Sequence, residues 1–160
     1  APWFERARAA GYPAVAHAGE TGGADHVRQA VVDLKARRIQ HGARAVEDAA
    51  VLRLLAERGI CCDVALTSNA CLTPYTDMAT HPIKRMVEAG VPVTLSTDDP
   101  PFFGTDLVRE YGRAHEEAGI SMEMLWQINL NGLRFGLADV GLRRRLLLEF
   151  EAAGRSLGLA

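Results

Sequence analysis

Apolar residues occur in two patterns that alternate along this chain. Short, mostly apolar runs are typical of buried strands, and longer stretches with an apolar residue every three or four positions are typical of helices. The predicted strands cover residues 12–16, 38–40, 60–66 and 91–95. The predicted helices cover residues 3–10, 24–37, 46–58, 83–89, 107–118, 122–135 and 141–157, and residues 71–80 are predicted to form a loop.

The order of these elements predicts the fold class. One helix is followed by four strand–helix units and then by further helices. Strands that alternate with helices favour parallel pairing through right-handed crossovers. The strands read as apolar throughout, which is typical of a sheet covered on both faces. We therefore predict an α/β fold of parallel βα units, forming a single domain over residues 1–160.

Polar residues that could take part in catalysis or metal binding lie where the predicted strands end. These groups follow one another at intervals of roughly one βα unit, and strand ends spaced in this way become neighbours around one rim. They are His17, Glu20, His41, Ser68, Asn69, Asp98 and Asp99.

Each group also has a structural interpretation. Asp98 and Asp99 lie between a strand and Pro100, where an Asx turn with Asp98 capping the next helix is one possibility. A single histidine after an apolar run is often a hydrogen-bonded structural residue. Glu20 is also typical of a solvated loop acid. Histidine or carboxylate at three of four consecutive strand ends nevertheless favours a site over these separate interpretations.

The residue types at this rim suit a divalent cation. Imidazole and carboxylate ligands are those that Zn²⁺ takes when it keeps an open position for water. The ion lowers the pKa of that water and creates a nucleophile near neutral pH. Glu20 follows His17 by three residues in a glycine-containing turn, where it can donate or accept a proton.

Composition narrows the class of protein. The net charge of −2 favours neither nucleic acid nor a membrane surface as a partner. Three cysteines, Cys61, Cys62 and Cys71, form neither a disulfide framework nor a thiolate metal motif, which fits a reducing cytoplasm. No apolar run approaches the roughly 20 residues that span a bilayer. We expect a cytoplasmic protein. The missing initiating Met indicates a fragment or a processed product.

Five short motifs resemble those of the adenosine/adenine deaminases, a family of the metal-dependent amidohydrolase superfamily. They are HAGE at 17–20, QHG at 40–42, TSN at 67–69, HP at 81–82 and STDDP at 96–100. The resemblance covers essentially the whole chain. It implies the C-terminal half, strands five to eight, of a (β/α)₈ barrel with its closing helices.

The resemblance also implies an activity, the zinc-dependent hydrolytic deamination of an aminopurine. Adenosine, converted to inosine and ammonia, is the substrate we expect first, because residues 102–105 (FFGT) look like those of bacterial adenosine-deaminase-like members. Adenine, or another adenine nucleoside such as aminodeoxyfutalosine, is the alternative. The expected partner is therefore a small purine nucleoside or base.

The family's roles transfer to positions on the metal side of the site. His17 would be a metal ligand. His41 would orient and help deprotonate the metal-bound water. Asp98 would bind the metal and carry a proton to the leaving ammonia.

On the substrate side, Glu20 would protonate the ring nitrogen next to the attacked carbon. Asp99 would form a hydrogen bond to the imidazole-ring nitrogen of the purine, and Gly19 would let the substrate approach the backbone. Ser68 and Asn69 are expected to support the rim. The remaining histidines, His26, His81 and His115, are expected to be structural.

The chain also departs from the family pattern. The His-x-His pair of the family's first strand is absent. A barrel of this kind needs roughly 250 residues, and four strands leave two open edges. We expect a fragment whose missing N-terminal half, or a partner chain, completes the barrel. A catalytically incomplete scaffold, or a metal hydrolase acting on an amide or ester, is the competing hypothesis.

Overall fold

Four parallel strands form one sheet in the computed structural model, which describes residues 2–159. The strands are β1 (Val15–Ala18), β2 (Arg38–His41), β3 (Cys61–Val64) and β4 (Val93–Leu95). They lie in the order β1-β2-β3-β4, and each neighbouring pair is parallel. The predicted α/β fold of parallel βα units is confirmed. β3 and β4 are shorter than predicted, β2 continues one residue further to His41, and β1 lies toward the end of its predicted run and beyond it.

Helices connect and cover these strands. They are α1 (Pro2–Ala9), α2 (Ala24–Val32), α3 (Ala49–Arg58), α4 (Leu66–Leu72), α5 (Ile83–Glu88), α6 (Pro100–Phe103), α7 (Leu107–Glu116), α8 (Met122–Arg134) and α9 (Val140–Ser156). Two 3₁₀ helices cover Ala43–Glu47 and Met78–Thr80. Between residues 2 and 159, none of the helices has the length and apolar character needed to cross a membrane.

Two differences from the predicted helices and loops bear on the site. Helix α2 ends at Val32, and Lys35 then adopts a left-handed conformation with φ of 56°, so the helix cannot continue to residue 37. Helix α4 occupies residues predicted to be a strand end and part of a loop.

Helix α4 depends on a distant cap. Its N-cap residue, Ala65, forms no side-chain cap. Glu110 of α7 is fully buried and accepts the backbone N–H of Thr67 at 3.2 Å, together with the hydroxyl groups of Thr67 and Thr105. These bonds satisfy a donor that every helix start leaves unpaired. Because this acceptor is 43 residues away in sequence, no local pattern predicts the helix.

The two faces of the sheet differ in polarity. One face is part of the hydrophobic core beneath the helices, and its strand residues are Ala16, Ala18, Ile39, Cys62, Val64, Val93 and Leu95. The opposite face carries polar side chains in one row, because His17 pairs in register with Gln40, Gln40 with Asp63, and Asp63 with Thr94. The prediction of strands that are apolar throughout is therefore wrong for this face.

Asp63 is the centre of a hydrogen-bond network on the polar face. Its carboxylate accepts two bonds from Arg38, at 2.6 and 2.7 Å, and one from Gln40 at 2.7 Å. It also accepts the hydroxyl of Thr94. This hydrogen-bonded carboxylate raises the pKa of Arg38. The network ties β2, β3 and β4 together through side chains, in addition to their backbone pairing.

We predict that Asp63→Ala lowers the free energy of unfolding by about 3 kcal/mol, because it leaves the guanidinium of Arg38 without its buried counter-charge. Chemical denaturation measures this value. Glu149→Ala is the matched control, since Glu149 forms an exposed pair with Arg145 and its loss should cost less than about 0.5 kcal/mol. Equal free energies of unfolding for the two variants would contradict this role of Asp63.

Candidate active site

The backbone turns sharply where strands β1, β2 and β4 end. Gly19, His41, Gly42 and Asp98 all adopt left-handed conformations, with φ of 70°, 70°, 74° and 55°. Histidine and aspartate are among the few non-glycine residues found there, and strained backbone of this kind clusters at functional sites. Two of the residues predicted to be catalytic therefore lie in unusual backbone conformations at one edge of the sheet.

Gly19 has a packing reason to be glycine. A Cβ atom at this position would lie 2.5 Å from Cγ2 of Val27 and 3.1 Å from the Cα of Gly42. Because its φ is also positive, any larger residue would be strained twice. The close packing of the β1 and β2 turns accounts for Gly19, and its predicted contact with a substrate stays a prediction.

Three of the predicted site residues converge at this edge. One ligand atom from each of Glu20, His41 and Asp98 lies within 4.8 Å of the other two. Nε2 of His41 is 3.6 Å from Oε1 of Glu20, and the imidazole is almost fully buried. Residues far apart in sequence are thus brought together by the parallel arrangement of β1, β2 and β4.

Asp98 is held by two serines. Oγ of Ser68 donates a hydrogen bond to Oδ2 of Asp98 at 2.7 Å. The backbone N–H of Asp98 donates to Oγ of Ser96 at 3.2 Å. Ser68 lies in α4 and therefore supports the rim, as the sequence suggested, by fixing a carboxylate of the cluster.

Asp99, and not Asp98, precedes the next helix. It is the N-cap residue of α6, yet its side chain accepts no cap hydrogen bond and is exposed. The interpretation of Asp98 as a helix cap is therefore wrong. The carboxylate of Asp98 turns toward the cluster, and that of Asp99 is not used by the helix.

His17 lies beside the cluster without belonging to the three converging residues. Its ring is 5.5 Å from the ring of His41, centroid to centroid, with a tilt of 47°. It points from the polar face of β1 and is exposed. The structure brings His17 near the predicted site, and its role as a metal ligand stays a prediction.

Asn69 and His81 also contact this site, indirectly. Nδ2 of Asn69 lies 3.3 Å from Nδ1 of His41, and Oδ1 of Asn69 lies 3.3 Å from Nε2 of His81. Both side chains are buried. Sequence reasoning took Asn69 for rim support and His81 for a structural residue, since nothing in the local pattern connects either of them to His41.

Burial lowers the pKa of His81 to about 4. The ring is therefore neutral at neutral pH. Its Nδ1 accepts the backbone N–H of Ile83 at 3.2 Å, at the start of α5. His81 is thus fixed by one donor from the backbone and one acceptor from Asn69.

The residues at this rim fit a zinc ion better than the two buried cysteines do. Burial raises the pKa of Cys61 to about 12, and that of Cys62 is raised for the same reason, so neither thiol readily forms the thiolate that binds zinc. The imidazole and carboxylate groups at the rim are ordinary zinc ligands.

A cavity of about 370 Å³ lies at the opposite end of the strands and is not this site. Its lining includes Arg37, Arg58 and Gly59, which precede β2 and β3. The candidate site lies instead on the open carboxyl edge of the sheet.

The family model for adenosine deaminase matches residues 1–153. The chain belongs to this family. It is 43% identical over 150 residues to an aminodeoxyfutalosine deaminase of Streptomyces coelicolor, a match covering 94% of this chain and 39% of the relative. It is 41% identical over 150 residues to an adenosine deaminase of Salmonella heidelberg, covering 94% of this chain and 45% of the relative.

Solved structures agree with this assignment. An adenine deaminase from Arthrobacter aurescens superposes with a TM-score of 0.90 and 28% identity, over 96% of this chain and 47% of that one. An amidohydrolase from Burkholderia ambifaria with bound zinc superposes with a TM-score of 0.84 and 29% identity, over 98% of this chain and 45% of that one. The chain spans less than half the length of these relatives, and its predicted half-barrel fold is confirmed.

We predict that His81 makes the protein less stable as the pH falls from about 6.5 to 4. The unfolded chain binds a proton at this histidine near its ordinary pKa of 6.5, whereas the folded chain does so only near 4. The resulting loss of unfolding free energy reaches about 3 kcal/mol and is complete below pH 4.

The measurement compares denaturation curves of the native protein and His81→Gln over this pH range. Glutamine does not titrate, so the variant should not show this loss of unfolding free energy as the pH falls. His26→Gln, at an exposed histidine of α2, is the matched control and should keep it. Parallel pH dependences for all three proteins would contradict a neutral, buried His81.

Proposed function

We propose that this chain provides half of the active site of a zinc-dependent deaminase that converts an aminopurine nucleoside, adenosine first, to the oxo-purine and ammonia. The observation that carries the proposal is the convergence of Glu20, His41 and Asp98 at one sheet edge. Membership of the adenosine deaminase family gives this cluster its chemical context.

Glu20 is the proposed acid. Addition of water to an aromatic carbon that bears an amino group is unfavourable until the neighbouring ring nitrogen receives a proton. Glu20 has a side chain that is 22% exposed and lies at the mouth of the site, so a bound purine can reach its carboxyl group. In its protonated form it would donate that proton, as a positioned general acid does.

Asp98 and His41 would act on the attacking water. The carboxylate of Asp98 would accept its proton and deliver it to the amino group, which leaves as ammonia once the carbon–oxygen bond has formed and the carbon–nitrogen bond breaks. Ser68 holds Oδ2 of Asp98 and so fixes the direction of this carboxylate. The ring of His41, buried beside Glu20, would orient the water.

Zinc is the proposed cofactor, and His17 and Asp98 are the residues of this chain that would hold it. When bound, zinc supplies a hydroxide nucleophile near neutral pH by lowering the pKa of water. The proposal is supported by the donor types at this rim and by the zinc bound to one relative of similar fold. Further ligands, and the strands that close the barrel, would come from the remainder of a longer polypeptide or from a partner chain.

The substrate contacts within this chain are few. Asp99 has an exposed carboxylate that α6 does not use, and we assign it the hydrogen bond to the five-membered ring of the purine. Aminodeoxyfutalosine is the second candidate substrate, because the relative that acts on it by name is 43% identical to this chain. Adenine is the third.

The test is an assay of the natural polypeptide that carries this chain, loaded with zinc. Adenosine, adenine and aminodeoxyfutalosine are compared by ammonia release and by the appearance of the oxo-purine. We expect equal amounts of the two products and the highest kcat/KM for adenosine. Preference for another aminopurine would correct the substrate alone, and turnover of none of them would overturn the proposed function.

We predict that Glu20→Gln lowers kcat by about 10²–10⁴-fold, because an amide cannot donate the required proton. Single-turnover measurement of deamination tests this step. Glu57→Gln on the exposed side of α3 is the matched control and should leave kcat unchanged. A Glu20→Gln enzyme with nearly native kcat would remove Glu20 from the chemistry.

A further inference from the structure

A relay of buried hydrogen bonds runs from a backbone amide to the candidate active site. It begins at the N–H of Ile83, passes through His81 and Asn69, and ends at Nδ1 of His41. His81, Asn69 and His41 are each at most 4% exposed. Water therefore has little opportunity to replace any partner along this relay, and both ring nitrogens of His81 and Nδ1 of His41 must be satisfied by the protein.

The donor and acceptor at each step of this relay are fixed by its first bond, at the backbone amide of Ile83. A backbone N–H can only donate, so Nδ1 of His81 must be the acceptor of the Ile83 amide. A neutral imidazole carries one proton, and the lowered pKa of His81 keeps it neutral. The proton of His81 is therefore on Nε2, which donates to Oδ1 of Asn69 at 3.3 Å.

The amide of Asn69 passes this direction on to His41. Because its oxygen accepts from His81, its Nδ2 group is the one that faces His41. An amide NH₂ only donates, so Nδ1 of His41 must accept. The opposite orientation of Asn69 would place its NH₂ group against the N–H on Nε2 of His81, so that two donors would face each other with no acceptor between them.

We propose that Asn69 and His81 are positioning residues that hold His41 in the tautomer with its proton on Nε2, directed at the catalytic cluster. Nε2 is the nitrogen that lies 3.6 Å from Glu20. A nitrogen that carries a proton can neither bind a metal ion nor accept a proton. His41 therefore acts at this site as a hydrogen-bond donor.

This tautomer gives His41 and Asp98 different roles toward the attacking water, and that consequence rests on the proposed function. His41 donates Nε2–H to the oxygen of the attacking water and aligns it. Asp98 is then the group that takes the water's proton, because its carboxylate can accept one and Ser68 fixes the direction in which it faces. The relay explains why a polar pair, Asn69 and His81, lies buried beneath the site.

The direct test is nitrogen NMR of the zinc-loaded natural polypeptide with ¹⁵N-labelled histidine. The resonances of His41 are those that disappear in His41→Gln. We expect the proton on Nε2 of His41 and none on Nδ1. A proton on Nδ1 in the native protein would overturn the proposal, whether or not the protein deaminates adenosine.

Asn69→Asp tests the relay by reversing its last donor. The carboxylate has nearly the same shape but only accepts, so His41 must place a proton on Nδ1. We expect that change in the NMR spectrum, together with a fall in kcat of about 10–100-fold and a smaller change in KM. Asn129→Asp on α8 is the matched control and should alter neither.

The outcomes separate the relay from the proposed function. An Asn69→Asp protein whose His41 keeps an unprotonated Nδ1 overturns the relay, and so does a switched tautomer with unchanged kcat. If the variant does not fold, the native spectrum alone decides. Failure of the native protein to deaminate any aminopurine would overturn the proposed function. The tautomer of His41 would still be decided by the NMR spectrum of the native protein.

Discussion

The parallel pairing of four short strands is the constraint on which this structure depends. Parallel strands direct all their carboxyl ends to one edge, so whatever follows each strand is gathered there. Glu20, His41 and Asp98 follow or end β1, β2 and β4, and they meet although 78 positions separate the first from the last. A shift of one residue in the register of any strand would turn its side chains to the other face.

The register is maintained from both faces of the sheet. The apolar face is covered by helices, and the polar face is tied together by the carboxylate of Asp63 with Arg38, Gln40 and Thr94. Buried ionic networks of this kind add less to stability than apolar packing of the same volume, but breaking one partner is costly. The network therefore favours one register of β2, β3 and β4, and this register sets the position along the sheet at which His41 ends β2.

The sequence predicted the repeated βα units and the residues at the strand ends, because both depend on local pattern. Apolar runs bounded by polar turns indicate strands without any knowledge of tertiary contacts. The histidine or carboxylate that follows three of the four strands can likewise be read directly from the sequence. The same reasoning failed at α4, where the cap is Glu110 from another helix. It also failed for the polar face of the sheet, since Asp63 is stabilised by residues on neighbouring strands. Asn69 and His81 escaped notice for the same reason, because their contacts cross between elements.

The measurement that tests this account most directly is the position of zinc in crystals of the natural polypeptide, located by anomalous scattering. The account predicts one ion at the carboxyl edge of the sheet, about 2.0–2.2 Å from a ring nitrogen of His17 and from an oxygen of Asp98. Nε2 of His41 should lie outside bonding distance of that ion. Zinc bound to Nε2 of His41, or no zinc at this edge, would contradict it.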